Sequence, residues 1–410
     1  MTELYAGRLF WPGTLSHVQQ YEPLRQNKKT QIAVIGGGMS GTTCCLTFAR
    51  SGLPVVLLER DRVAGGTTLA STGMLQYVND VMLIDLINQI GERDAVALYR
   101  SCRDSVNKLA SMASALTPDV DLRRRSSLYY ASTGKELPKL KAEYEALRSY
   151  GFDVEFWTSE TIANHFPFRK PGAIVTHGDA ELNPYKFVNA AAGEASRCGA
   201  EIHERTGIVS HETRPDGRHV LRTAEGFEVE AEHVVYAVGY EPGELRGNPV
   251  MANLNRTFVI VTDPQPDLQS WHQRFLIWET ARPYLYMRTT ADNRVIIGGL
   301  DEPPSHPVQS GHALGSRSGK LLQRLRSLFP GLSASAEYEW SATFGESRDS
   351  LPFIGEDPAW KNVYYCLGYG GNGTVYGMLA ADMLRDLIAG GTHPLERVIG
   401  VGRRWPAGAK

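Results

Sequence analysis

At 410 residues, 42% hydrophobic and 21% charged, the chain has the make-up of an ordinary globular protein long enough for two domains. Its formal net charge of −2 gives no reason to expect nucleic acid or an anionic membrane surface as a partner. The five cysteines, Cys44, Cys45, Cys102, Cys198 and Cys366, contain no C-x-x-C; that argues against a disulfide scaffold, a metal site or a dithiol pair and fits a reducing, cytoplasmic setting.

Residues 1–30 are polar with scattered aromatics (Tyr5, Phe10, Trp11, Tyr21) and read as an irregular arm across the folded body. They lack the basic stretch and apolar core of a signal peptide. From Gln31 a β-α-β unit is clear: the strand IAVI, a glycine loop, a helix through Arg50, a Gly52-Leu-Pro54 turn and the strand VVLLER. Residues 80–116 and 134–149 carry apolar groups at helical spacing. Between them Arg123-Arg124-Arg125 reads as a solvated strand or turn face, since nothing aromatic or basic extends it. Strand-like alternation follows at 173–178, 200–212 and 218–235, with Asp216-Gly217 as a hairpin turn. EHVVYAVGY reads as a buried strand ending at Gly239. Residues 255–300 hold short strands (RTFVIV, YLYMR, RVIIGG) that suggest an antiparallel sheet. A helix near 316–329, further strands to Ile354 and a glycine-rich loop opening the last helix complete the chain. No run approaches the roughly 18 apolar residues of a membrane span.

Two glycine loops share the G-x-G-x-x-G spacing. In the first, a strand delivers the chain to Gly36, Gly38 and Gly41, which permit a tight turn, close approach to a pyrophosphate and close helix–sheet packing. The helix N-terminus then offers free N–H groups to that pyrophosphate. The next strand ends in Glu59, 18 residues beyond Gly41. A carboxylate there accepts hydrogen bonds from a ribose and repels a 2′-phosphate, so FAD or NAD is expected over NADP. The second loop, Gly368-Tyr-Gly370-Gly-Asn-Gly373, is followed by no strand ending in an acid. It is therefore not a second dinucleotide fold. Its helix N-terminus suits the negative charge that gathers at N1 and the C2 carbonyl of a reduced flavin. One FAD held at both ends by distant segments accounts for both loops.

These residues, with GGTTLASTGMLQY, GDAELNPYKFVNAAAGEASRCGAEI, VVYAVGY and DSLPFIG, resemble the D-amino acid oxidase family of FAD-dependent oxidoreductases over roughly residues 31–395. GRLFWPGT and WSATFGESRDSLPFIG look most like a bacterial branch likened to γ-glutamylputrescine oxidases. The resemblance implies an α/β (α+β overall) fold: a Rossmann-type FAD-binding domain interleaved with a mixed or antiparallel-sheet substrate domain. The implied boundaries are an arm (1–30), FAD-binding pieces (31–85, 173–240, 340–395), substrate-domain pieces (86–172, 241–339) and a tail (396–410). It implies that Gly36, Gly38, Met39 and Gly41 surround the pyrophosphate, and Glu59 and Arg60 the adenosine. Thr67, Thr68, Thr72 and Gly73 would line the pyrophosphate, ribityl chain and ring, Ile208 would present its backbone to adenine, and Gly239 would close the crevice. Gly370, Gly371, Asn372, Gly373 and Thr374 would sit at the pyrimidine edge.

Two departures from the family pattern bear on chemistry. Relatives that take free amino acids place an arginine five residues before the position of Asp349, where this chain has Phe344. A bidentate arginine is the strongest common carboxylate ligand, so a small free α-amino acid is not the expected substrate. Relatives that bind FAD covalently use a cysteine where this chain has Ala342, so non-covalent FAD is expected. Positioning then falls to Tyr284, Tyr286 and Arg288 on the strand expected to roof the flavin, with Arg348 as a further candidate. The expected activity is oxidation of a C–N bond of an amine or N-substituted amino acid, by hydride transfer to flavin N5 and hydrolysis of the imine. Electrons would pass to O2 or another acceptor. The alternatives are a flavin-bearing subunit of a hetero-oligomeric dehydrogenase, or an FAD enzyme using NAD(P)H, though a second βαβ unit is missing. A homo-oligomer is left open.

Overall fold

The computed structural model describes residues 4–241, 252–303 and 311–403. The ends of the arm and tail expected at 1–30 and 396–410, residues 1–3 and 404–410, lie outside the described residues, as do 242–251 and 304–310 of the expected substrate segment.

The described strands form two sheets. The eight-stranded sheet has the parallel order Trp360–Leu367, Glu228–Tyr236, Lys28–Ile35, Val55–Leu58, Glu201–His203. In register, Tyr236 lies beside Ile35, and Ile35 beside Leu58, so these strands release their chains at one edge. A meander, Ile208–Thr213, His219–Thr223 and Glu228–Tyr236, flanks it antiparallel. Its first turn holds Gly217 at φ +86, a left-handed conformation that glycine adopts without strain.

Helices Met39–Arg50, Glu92–Ser114 and Gly373–Ile388 pack together over this sheet. Their shared core includes Cys44, Phe48, Tyr99, Leu379 and Leu384. The Sγ atoms of Cys44 and Cys366 are 3.7 Å apart within it, and all five cysteines are free thiols.

The ten-stranded sheet is mostly antiparallel and has its own core, in which Leu321 and Leu325 of helix Gly311–Leu328 meet Phe258, Trp271 and Phe329. It contains the strand Gly172–Glu181, paired with Arg123–Tyr130 and Val154–Thr158, and also Ala336–Ser347. The sequence grouped 173–178 and 340–347 with the FAD-binding pieces. Local alternation marks a strand but does not name its neighbours, and here hydrogen bonding assigns both segments to the other sheet. The Arg123-Arg124-Arg125 run is a strand start: Arg123 and Arg124 are exposed and Arg125 pairs with Glu181 at 2.8 Å.

Helix Pro184–Arg197 was not anticipated, although its start is marked locally. The Asn183 side chain accepts from the N–H groups of Tyr185 and Lys186, and Pro184 occupies the first turn. The arm is more ordered than expected. Tyr5–Arg8 is a strand paired with Glu339–Ala342 at the edge of the ten-stranded sheet. Trp11, 2% exposed, donates from its indole N–H to the Ser71 carbonyl at 2.7 Å. Among the described residues no helix is long and apolar enough to cross a membrane.

Candidate functional site

A cavity of about 380 Å3 runs between the two sheets. One end lies at the strand edge of the parallel sheet. Gly36 has φ +106, and a Cβ there would meet the Ala237 carbonyl oxygen at 2.4 Å. A Cβ on Gly41 would lie 1.9 Å from the Gly36 carbonyl oxygen, so only glycine lets the helix start this close to the strand. The helix has no side-chain cap at Gly38, and the amides of its first turn lack intrahelical acceptors. Met39 N–H donates to the Thr68 hydroxyl at 3.1 Å.

The Glu59 carboxylate reaches the mouth of this loop, accepting from Gly37 N–H and Asp61 N–H, each at 2.7 Å. Burial raises its pKa, and those two N–H groups oppose the rise. Arg60 donates to Glu241 at 2.6 Å. Ile208, Gly239 at φ +60, Thr67 and Thr72 complete this part of the lining.

At the other end Gly370, Gly371, Asn372, Gly373 and Thr374 line the cavity. Gly371 N–H donates to Asp80 at 2.7 Å, and a Cβ on Gly371 would press within 2.9 Å of Asp80 and of the Tyr284 hydroxyl. Helix Gly373–Ile388 has no side-chain cap either, so a second set of helix N-terminal donors opens here. The Asn372 side chain is turned inward, donating to Asn79 at 2.7 Å.

The ten-stranded sheet roofs this end. Tyr284 and Tyr286 line the cavity with ring centroids 5.7 Å apart. The Tyr284 hydroxyl donates to Asp80 at 3.1 Å, and burial, helped by the Asp80 charge, holds its pKa well above the usual phenol value. Phe344 and Ala342 also face the cavity. No cysteine or histidine lines it among the described residues, which leaves no thiol or imidazole for a covalent flavin link.

Four expected residues stand outside the lining. Gly41 acts from behind the glycine loop, as described. Gly73, at φ +70, is backed by the Leu182 carbonyl, 2.2 Å from where a Cβ would stand. Arg288 does not face a substrate. Its guanidinium is buried and donates to the carbonyls of Thr72 at 2.7 Å and Leu182 at 2.8 Å, near Glu181 at 3.5 Å. It stitches the loop of Thr72 to the roof through these two carbonyls. Arg348 is exposed in the turn after strand Ala336–Ser347 and points to solvent.

The sequence missed Asp80, Tyr240, Trp278 and Asp301, all in the lining. Tyr240 directly follows Gly239 and could have been found there; the others sit in no motif.

Two glycine cradles that a Cβ would fill, two uncapped helix starts and a carboxylate at the mouth of the first loop fit a dinucleotide whose far ring carries developing negative charge. The family model for FAD dependent oxidoreductases, DAO, matches residues 31–387. The chain is 26% identical over 402 residues to gamma-glutamylputrescine oxidoreductase of Escherichia coli, covering 93% of this chain and 88% of that protein. It is 25% identical over 374 residues to glycine oxidase of Geobacillus kaustophilus, covering 87% and 92%. The crystal structure of glycine oxidase from Geobacillus kaustophilus superposes with a TM-score of 0.78 at 22% identity, covering 92% of this chain and all of that one. The chain belongs to the DAO family of FAD-dependent oxidoreductases.

Proposed function

We propose that this protein oxidises a C–N bond of an amine or N-substituted amino acid, using non-covalent FAD. The observation that carries the reading is the roofed end of the cavity: it is walled by Trp278, Tyr284, Tyr286 and Phe344, holds Asp80 and Asp301, and has no arginine in its lining among the described residues. Such walls suit an amine and offer no cationic side chain to a free α-carboxylate.

FAD when bound supplies a two-electron acceptor that takes hydride from the substrate carbon. The chain's residues bind and orient. Gly36, Gly38, Met39 and Ser40 would hold the pyrophosphate, and Glu59 the ribose hydroxyls. The amides of Asn372 to Thr374 would face the ring's anionic edge, and Tyr284 and Tyr286 would confine the substrate and exclude water during transfer. Loss of hydride and a proton leaves an imine, which water hydrolyses to a carbonyl compound and the released amine. O2 or another acceptor then reoxidises the enzyme.

Two outcomes are expected. Mixed anaerobically with substrates, the FAD-loaded protein should be bleached faster by secondary amines and polyamine derivatives than by glycine or D-alanine. Rapid bleaching by either amino acid would overturn the reading. Glu59→Ala removes a charged hydrogen-bond acceptor, worth about 1.5–3 kcal/mol, so FAD affinity should fall roughly ten- to 150-fold. Fluorescence titration of apoprotein with FAD measures this; unchanged affinity would remove Glu59 from the ribose.

A further inference from the structure

Strand Val295–Glu302 does not run straight into the cavity wall. Arg256 pairs with Glu302 and Phe258 with Gly299, so Leu300 and Asp301 together stand opposite Thr257. Leu300 takes φ +60 to make this bulge, a conformation that a bulky residue rarely adopts. A bulge beside a cavity re-aims a side chain, and the one re-aimed here is Asp301, which lines the roofed end.

The Asp301 carboxylate differs from several acids of the interior, which are held by amides, hydroxyls or a cation. Glu143 accepts from Leu83 and Ile84 N–H, and Asp179 from Ser127, Thr176 and Tyr77. Asp349 is clamped by Arg403. Asp301 Oδ1 is shut off from solvent with no hydrogen-bond partner among the described residues. Around it stand Asp80, Tyr284, Tyr286, Thr257 and the more distant Glu346, with Arg282 outside the lining. Among the described residues the cavity's one cationic side chain is Arg60, bonded to Glu241 at the nucleotide end. A carboxylate with one buried oxygen unpaired, the Thr257 hydroxyl as its near neighbour and no cation lining the cavity beside it among the described residues, in a wall shared with Trp278, Tyr284 and Tyr286, is suited to an external cation.

We infer that Asp301 is the specificity-determining residue that receives the substrate's ammonium group, selecting positively charged amines over neutral or carboxylate-bearing ligands. This rests on the amine-oxidising reading and names its substrate class. The price of the arrangement is a buried charge. Burial pushes the Asp301 carboxyl up to about 6; the Thr257 hydroxyl opposes the rise and the Asp80 charge adds to it. A carboxyl raised in the folded state stabilises the fold below the ordinary carboxylate range and loses that contribution as pH rises through about 6. Removing the charge therefore helps the fold at pH 8 and does nothing at pH 4.

The test uses FAD-loaded parent and Asp301→Asn proteins, with butylamine and the uncharged butan-1-ol as probes read by perturbation of the flavin spectrum. The parent should bind butylamine in preference to butan-1-ol. The variant should bind butylamine about ten- to a hundred-fold more weakly with its hold on butan-1-ol unchanged. Its melting temperature should rise by roughly 2–5 °C at pH 8 and match the parent at pH 4. Equal weakening of both probes, a parent that does not prefer the amine, or a variant less stable at pH 8 would each overturn the assignment. Amine selectivity without flavin reduction by any amine would instead sink the amine-oxidising reading and leave the ammonium site standing.

Discussion

Arg403→Ala should destabilise the protein by about 3–5 kcal/mol, the penalty for leaving a buried carboxylate without its partner. The Arg403 side chain is 3% exposed and that of Asp349 1%. Two 2.7 Å bonds join them in the bidentate geometry that carboxylates favour. Arg403 also donates to the Pro352 carbonyl at 2.7 Å and lies 4.1 Å over the Phe353 ring. Asp349 in turn accepts from the Ser347 hydroxyl and Leu351 N–H. The pair thus fixes the turn between strands Ala336–Ser347 and Phe353–Asp357, whose Ser350 carbonyl borders Gly370. Urea unfolding would measure the loss. The double variant Asp349→Ala, Arg403→Ala should be less damaged than the sum of the single changes, because no lone charge remains. A single-variant loss below about 1 kcal/mol would show that water reaches the carboxylate.

Gly41→Ala should abolish retention of FAD while leaving most secondary structure in place. The added methyl would stand 1.9 Å from the Gly36 carbonyl oxygen, which is backbone at the heart of the glycine loop. The helix must lift off the strand, carrying its N-terminal amides away from the pyrophosphate. Gly319 is the control. It is exposed in helix Gly311–Leu328 with nothing within 4 Å of its Cβ position, so Gly319→Ala should be neutral or stabilising by up to ~1 kcal/mol. The absorbance ratio of flavin to protein after purification, beside the far-ultraviolet dichroism, distinguishes the two variants. Full flavin content in Gly41→Ala would mean that the helix does not present its amides to the cofactor.

The parts legible in the sequence are those fixed by neighbours along the chain. IAVIGGGMSG announces strand, turn and helix within ten residues, and Glu59 follows at the end of the very next strand. The helix entry at Gly373 carries the same local mark. Arg288 misled because strand alternation places it with Tyr284 and Tyr286 but says nothing of the Thr72 and Leu182 carbonyls, which come from more than 100 positions away. Asp301 stayed hidden for a related reason. Its direction depends on a bulge whose existence is a mismatch between two strands, and a mismatch is written in neither strand alone. Asp80 is defined by Gly371 and Tyr284, 291 and 204 positions distant. Sheet membership of Gly172–Glu181 failed to show for the same cause: pairing is long-range, whereas alternation is local.

The docked N-terminal strand has a consequence for how the protein comes into being. Arg8 meets the Glu337 carbonyl, 329 positions later in the chain, so at about 5–20 residues per second strand Tyr5–Arg8 waits roughly 15–65 s for its partner. During that interval the edge of strand Ala336–Ser347 does not yet exist, and Leu4, which lines the finished cavity, is not in place. Trp11 can reach Ser71 early, but the pair of Thr343 N–H with the Leu4 carbonyl, at 2.8 Å, has to wait for residue 343. The arm therefore cannot be seated before strand Ala336–Ser347 has been made, and Gly370 to Thr374, which line the cavity's other end, follow later still.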